Sequence, residues 1–170
     1  MARILSVLLA GLLVLSACGT QSTGRIGADG QPLPEVYKIR NSDKSKIQFR
    51  ILDSVNALRS AAGAAPVQLN AQLNAAAETH SRDMAKQNRP WHFGSDGSSP
   101  IDRVARAGYP GQMLGENISE TFENELETLA AWTDQPGTRQ VILDPKAINM
   151  GFAWFQESNG KSWWTMLMGS

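Results

Sequence analysis

Few side chains in this sequence combine a reactive type with an informative position. The chain has one cysteine, Cys18, and two histidines, His80 and His92. A thiol can bridge two chains, act as a nucleophile or accept a covalent group. An imidazole can move a proton near neutral pH or ligate a metal. No serine or cysteine sits in a recognisable nucleophile motif. His80 shares an apolar helical face with Leu73, Ala76, Ala77 and Met84, so it reads as a satisfied core histidine. His92 falls in a loop, Asn88 to Ser99, rich in Gly, Ser and Pro. The longest ordered pattern runs from Gly115-Glu116-Asn117-Ile118 through Trp132 and Pro136-Gly137-Thr138-Arg139 to Ile142-Leu143-Asp144-Pro145.

The elements around Cys18 decide its chemistry. Met1-Ala2-Arg3 is a short positive region, and Ile4 to Leu15 is apolar except for Ser6 and Gly11. That run is shorter than the ~20 apolar residues of a membrane-spanning helix and reads as the core of a signal peptide. It ends in Leu15-Ser16-Ala17-Cys18-Gly19, small residues ahead of a cysteine. This resembles the bacterial lipobox, in which the cysteine is lipidated and becomes the new N-terminus; an ordinary signal peptide is the alternative. Residues 1–17 are thus expected to be removed, and the membrane becomes a partner through lipid on Cys18. Gly19 stands where inner-membrane lipoproteins of Gram-negative cells tend to carry Asp, which favours the outer membrane in such a cell.

Residues 18–44 read as the lipidated N-terminus and a flexible tether, punctuated by Gly24, Gly27, Gly30, Pro32 and Pro34. Val36, Tyr37 and Ile39 form a short strand or pack on a domain edge. Residues 45–170 read as one domain, long enough for an apolar core without a disulfide. Ser45-Lys46-Ile47-Gln48 has the form of a capping box, opening a helix whose face is Ile47, Ile51, Leu52, Val55 and Leu58. Gly63 and Pro66 end it. Asn70 can cap the next helix, the one carrying His80. Pro100 opens a short helix through Val104 and Ala107. Gly115 to Ser119 is β-like. Glu123 to Trp132 reads as a helix with Leu126, Leu129, Ala130 and Trp132 as its apolar face. Ile148–Gln156 and Ser162–Met168 flank Asn159-Gly160, a strong hairpin signal. Both strands are apolar on both faces: Met150, Phe152 and Trp154 point one way, Ala153 and Phe155 the other. Such a hairpin needs cover on both sides. The fold class that follows is α+β, an α-β-α sandwich with a small, mainly antiparallel sheet covered by helices on both faces. Trp91, Trp163 and Trp164 read as core rather than as a ligand groove.

Ordered motifs along residues 45–170 resemble a bacterial CAP domain, also called SCP-like after the cysteine-rich secretory protein, antigen 5 and pathogenesis-related 1 proteins. They are Val55-Asn56-Ala57-Leu58-Arg59, Ala77-Glu78-Thr79-His80-Ser81-Arg82-Asp83-Met84-Ala85, His92-Phe93-Gly94-Ser95-Asp96-Gly97, Asp102-Arg103-Val104 and Ala107-Gly108-Tyr109. Gly115-Glu116-Asn117-Ile118, Trp132, Pro136-Gly137-Thr138-Arg139, Ile142-Leu143-Asp144-Pro145 and Met150-Gly151-Phe152-Ala153 complete the set. The resemblance implies an α-β-α sandwich and a cleft around His92, Glu116, Asn117, Thr138 and Arg139. His92 and Glu116 take the places of the family's first histidine and its glutamate, the candidates for catalysis or for a divalent metal such as zinc. Thr138 stands where the family usually has its second histidine, and the second glutamate, expected near Gln135, is missing.

A catalytic zinc site needs about three protein ligands of the His, Cys or carboxylate type, and a neutral hydroxyl is a poor substitute. No cofactor is therefore expected. The alternative use of His92 and Glu116 is to hydrogen-bond each other and pin the loop onto the sheet. The expected function is a non-catalytic module of the cell envelope that binds a lipid, envelope polymer or protein. Its rivals are a metal-assisted hydrolase of peptides or envelope polymers, with Glu116 as general base, and a structural protein with a vestigial cleft. Basic and acidic residues balance at 16 each, leaving no basic stripe for nucleic acid. Asn117-Ile118-Ser119 matches a glycosylation acceptor but reads as chance.

Overall fold

A computed structural model describes residues 36–121 and 123–170. Cys18, the signal peptide and most of the expected tether lie outside the described residues. The elements are α1 (Lys44–Ala61), β1 (Gln68–Leu69), α2 (Ala71–Gln87), α3 (Pro100–Arg106), β2 (Met113–Thr121), α4 (Glu125–Asp134), α5 (Pro136–Ile142), β3 (Asn149–Gln156) and β4 (Ser162–Gly169). The strand order is β1-β3-β4-β2, with β1 parallel to β3 and the other pairs antiparallel. No helix among the described residues is long and apolar enough to cross a membrane.

Helices lie on both faces of the sheet, as the hairpin composition requires. On one face Met150, Phe152, Trp164, Met166 and Met168 meet Ile47, Ile51 and Val55 of α1, Leu129 and Trp132 of α4, and Ile142 of α5. On the other, Ala153 and Leu167 meet Leu73, Ala76 and Ala77 of α2, Val104 of α3 and Tyr109. Every residue of β4 is buried. Small residues let α2 come close: a Cβ on Gly151 would sit 2.3 Å from the Leu73 carbonyl carbon.

Several local expectations are met and others shift. Asn70 caps α2 through Oδ1, which accepts from the N–H groups of Gln72 and Leu73. Ser99 and Asp102 form a capping box at α3, with Pro100 in its first turn. The capping box expected at Ser45 does not form. The chain begins to coil earlier, in a short 3-10 turn at Asn41–Asp43, where the Asp43 carboxylate accepts from the Arg40 N–H. Leu58 is exposed, and Arg59 takes the buried end of α1 instead. Its guanidinium donates to the carbonyls of Ala65, Ile142, Asp144 and Ala147 and so ties α1 to the chain after α5. The apolar face expected for α4 is rotated: Leu126 and Ala130 face out, while Glu125, Thr128, Leu129 and Trp132 are buried. The β3–β4 connection is a loop of residues 157–161 rather than a two-residue turn. Gly160 alone there has positive φ (96°), whereas the type I′ turn that Asn-Gly favours needs it at both central positions.

The packed body begins at Val36, upstream of the expected Ser45. Residues 36–39 form no strand; they lie as a strap along the edge. The Gln156 side chain donates to the Tyr37 carbonyl and accepts from the Ile39 N–H. The Tyr37 hydroxyl donates to the buried Glu125 carboxylate at 2.9 Å, with Arg50 Nε 3.1 Å from the other oxygen. Burial, and then the bond to Glu125, push the Tyr37 phenol up to about 12.

Candidate functional site

Glu116 lies near the middle of β2, an edge strand, opposite Leu167 of β4, and so faces α2 and α3. Its side chain is 2 % exposed. Such a carboxylate is stable only with compensating donors. Arg103, on α3, supplies one: its Nη2 donates to Glu116 Oε2 at 2.7 Å. His92 supplies the other, with Nδ1 2.8 Å from Oε1. A carboxylate in that geometry can only accept, so Nδ1 carries the proton and Nε2 of a neutral ring keeps its lone pair. The His92 side chain is 52 % exposed.

His80 is the second imidazole of the cluster, and it is more than core filling. It is fully buried, as its helical face required. Its Nε2 lies 3.0 Å from the Trp91 carbonyl oxygen and 3.8 Å from Glu116 Oε1. The carbonyl accepts, so Nε2 bears the hydrogen and Nδ1 is left without a partner. Burial pushes the His80 pKa below 6.5; nearby Glu116 opposes this and Arg103 adds to it. The neutral ring is thus the form that fits.

These groups hold one loop. His80 takes the Trp91 carbonyl, Arg103 Nη1 donates to the carbonyls of His92 and Ser98, and Glu116 takes the His92 ring. Gln87 accepts from the Trp91 indole, and Asp83 accepts from both the backbone and the hydroxyl of Ser95. The loop from Trp91 to Ser98 is therefore fixed from α2, α3 and β2 together.

The remaining expected cleft residues do not join this cluster. Asn117 follows Glu116 in the strand and projects to the opposite face, where its amide donates to the Thr138 carbonyl. The Thr138 hydroxyl donates to the Trp132 carbonyl, between α4 and α5. Arg139 turns back to the carbonyls of Thr133 and Asp134 at the end of α4, favourable for a cation at a helix C-terminus. The expected cleft divides into two: His92 and Glu116 on one face, Asn117, Thr138 and Arg139 on the other. Strand alternation is the reason, and it was available from the adjacency of Glu116 and Asn117. Among the described residues, no group of three or more His, Cys, Asp or Glu side chains is arranged to hold a metal ion. Both Glu116 oxygens are engaged, so the residues present do not fit a three-ligand zinc centre. Trp163 and Trp164 are fully buried in the hairpin.

Arg103 was within reach of sequence reasoning. It adjoins Val104 on the short helix that follows the loop, a cation placed beside the inward face of an element. The partner that draws it inward, Glu116, lies beyond a turn and could only be assigned from the fold.

Comparison with known proteins agrees with this architecture. The cysteine-rich secretory protein (CAP) family model matches residues 52–168. The Bacillus subtilis protein YkwD is 27 % identical over 128 residues, covering 75 % of this chain and 49 % of YkwD. The chain thus spans about half the length of that curated relative. Among solved structures, an extracellular protein of Bacillus anthracis containing an SCP domain matches with TM-score 0.68 and 21 % identity, covering 78 % of this chain and 44 % of that one. An outer surface protein of Borrelia burgdorferi matches with TM-score 0.64 and 14 % identity, over 80 % of this chain and 98 % of that one. A cysteine-rich secretory protein of Staphylococcus aureus matches with TM-score 0.64 and 13 % identity, over 84 % and 44 %. The length of the family match, the helix–sheet–helix layers and the ordered motifs lead to one conclusion: the chain belongs to the CAP family of cysteine-rich secretory proteins.

Proposed function

We propose that this protein is an exported CAP-domain module, anchored to the cell envelope through lipid on Cys18, that binds a ligand or partner at the surface around His92 without catalysis. The signal-like N-terminus supports export. So do its structural relatives, which are extracellular, outer surface and secretory proteins.

The observation that carries the non-catalytic reading is the engagement of both Glu116 oxygens in a nearly closed site. A general base needs a free lone pair directed at the proton it removes. Here one oxygen accepts from a guanidinium and the other from an imidazole, and the side chain is nearly closed to solvent. The same bonds leave His92 held in one orientation, with its second ring nitrogen unengaged by protein. A fixed, half-exposed imidazole in a braced loop suits recognition: little conformational freedom is lost on binding.

Zinc titration of the full-length chain tests this. The expected result is no micromolar zinc binding by the wild type. Micromolar binding that disappears in His92→Ala would instead support a metal-assisted hydrolase.

A further inference from the structure

The sheet edge opposite β2 is bonded or fronted at every step but one. β3 turns the main-chain groups of alternate residues toward that edge, because the others bond to β4. Ile148 and Met150 give their carbonyls to the N–H groups of Gln68 and Asn70, on either side of β1. Phe152 donates its N–H to Asn74 Oδ1, and its carbonyl accepts from Gln48 Nε2. Gln156 is fronted by the strap, which its side chain holds at Tyr37 and Ile39. Trp154 stands between them. Two residues on from Phe152, its N–H and C=O point the same way, and they meet no partner among the described residues.

A cavity of about 250 Å³ opens at this step. Consecutive residues from Ala153 to Gln156 line it, although their side chains alternate between the two faces. The cavity therefore straddles the edge of the strand, where the main chain is, and does not lie on either face. Three cations, Arg40, Lys44 and Arg82, line it with a single carboxylate, Glu78. Glu78 is shared, with Oε2 3.0 Å from Lys44 Nζ and Oε1 2.9 Å from Arg82 Nη2. These are exposed pairs, which rearrange at little cost. The Arg40 guanidinium makes no hydrogen bond or ion pair to any described residue. The Asp43 carboxylate accepts from the Arg40 N–H and does not line the cavity.

Each feature narrows what fits. Free main-chain N–H and C=O groups on a sheet edge are matched by another main chain. The blocked steps on either side bar a strand from running through, so only a chain end can enter. The unmatched guanidinium favours a carboxyl end over an amino end. We propose that this gap receives the carboxyl-terminal end of a partner polypeptide. Its last peptide groups pair with the Trp154 N–H and C=O, and its terminal carboxylate is held by Arg40 beside Lys44. The site lies at the opposite edge of the sheet from Glu116 and His92 and does not depend on the reading of that surface.

The test is a titration of the isotope-labelled full-length chain, followed by NMR at the Trp154 amide. The probes are acetylated tripeptides ending in a free carboxylate on Ala, Leu, Phe or Lys. At least one should move the Trp154 signal along a saturable curve. Replacing its terminal carboxylate by a carboxamide should weaken binding at least about tenfold, as should Arg40→Glu at an exposed position. Lys146→Glu, an exposed lysine outside the cavity, should change it less than about twofold. His92→Ala should leave it unchanged, so failure here and failure of the His92 reading are distinguishable. A Trp154 amide signal that stays in place with all the peptides would overturn the proposal. So would equal affinity for the acid and carboxamide forms, which would remove the role of the chain end.

Discussion

The two faces of the sheet are built from the same strands but are closed by different means. On the α1, α4 and α5 face, contact is mainly apolar, with Phe152 stacked on Trp164 at 5.7 Å and Trp132 edge-on to Phe152 at 6.5 Å, although Arg59, Asn117 and Glu125 are buried on that side too. On the α2 and α3 face, a smaller apolar patch shares the surface with Glu116, Arg103, His80, Ser81 and Thr165, the last two joined by a 2.9 Å hydrogen bond. Apolar contact is non-directional and scales with area. A buried polar cluster works only if each partner is in place. The first face should therefore supply most of the stability, and the second should fix one loop in one geometry.

Removing Trp164 should have the largest effect. Trp164→Ala leaves a large cavity in the apolar face and should cost on the order of 4 kcal/mol, read by urea unfolding. A smaller loss than that of Arg103→Ala would reverse the ranking of the two faces. Arg103→Ala should come next, at about 3 kcal/mol, because it leaves the Glu116 charge buried with one donor fewer. Pairing it with Glu116→Gln should recover part of that loss, since the uncompensated charge goes too. No recovery would mean that Arg103 acts through its carbonyl contacts to the loop instead.

The smallest effect should be the pH dependence from His80. Its pKa is lowered on folding, so the unfolded chain takes up the proton first. Stability from this group is then present above about pH 6.5 and is lost as pH falls below it. His80→Gln should flatten that part of the profile, at a cost of about 1 kcal/mol at neutral pH from the lost bond to Trp91. A profile unchanged by the substitution would place the acid sensitivity elsewhere.

What was legible in the sequence follows the same divide. Faces defined by period were readable: Leu73, Ala76, Ala77, His80 and Met84 on α2, and the doubly apolar β3–β4 hairpin, both appear as expected. What escaped was set by partners distant along the chain. Glu125 turns inward because Tyr37 and Arg50 meet it there, and that rotates α4 away from its apparent apolar stripe. Asn159-Gly160 suggested a tight turn, but the loop is longer. The pairing of His92 with Glu116 was anticipated as one use of these residues. The engagement of His80 and Arg103 was not, because each reads locally as an ordinary helical residue. The resemblance grouped Thr138 with Glu116; in the structure the Thr138 carbonyl instead accepts from Asn117, whose side chain leaves β2 on the face opposite Glu116.

Arg59 carries a consequence for how this molecule can change over time. Its guanidinium recognises main-chain oxygens at residues 65, 142, 144 and 147, not side chains. The residues that supply those oxygens can therefore be exchanged for others that keep the same path, while the arginine itself has little freedom. A lysine offers a single point of charge and cannot reach several carbonyls in one plane. Drift in the 142–147 segment is thus underwritten by a fixed residue far upstream. The invariant of this corner is the arginine's reach, not the letters it reaches.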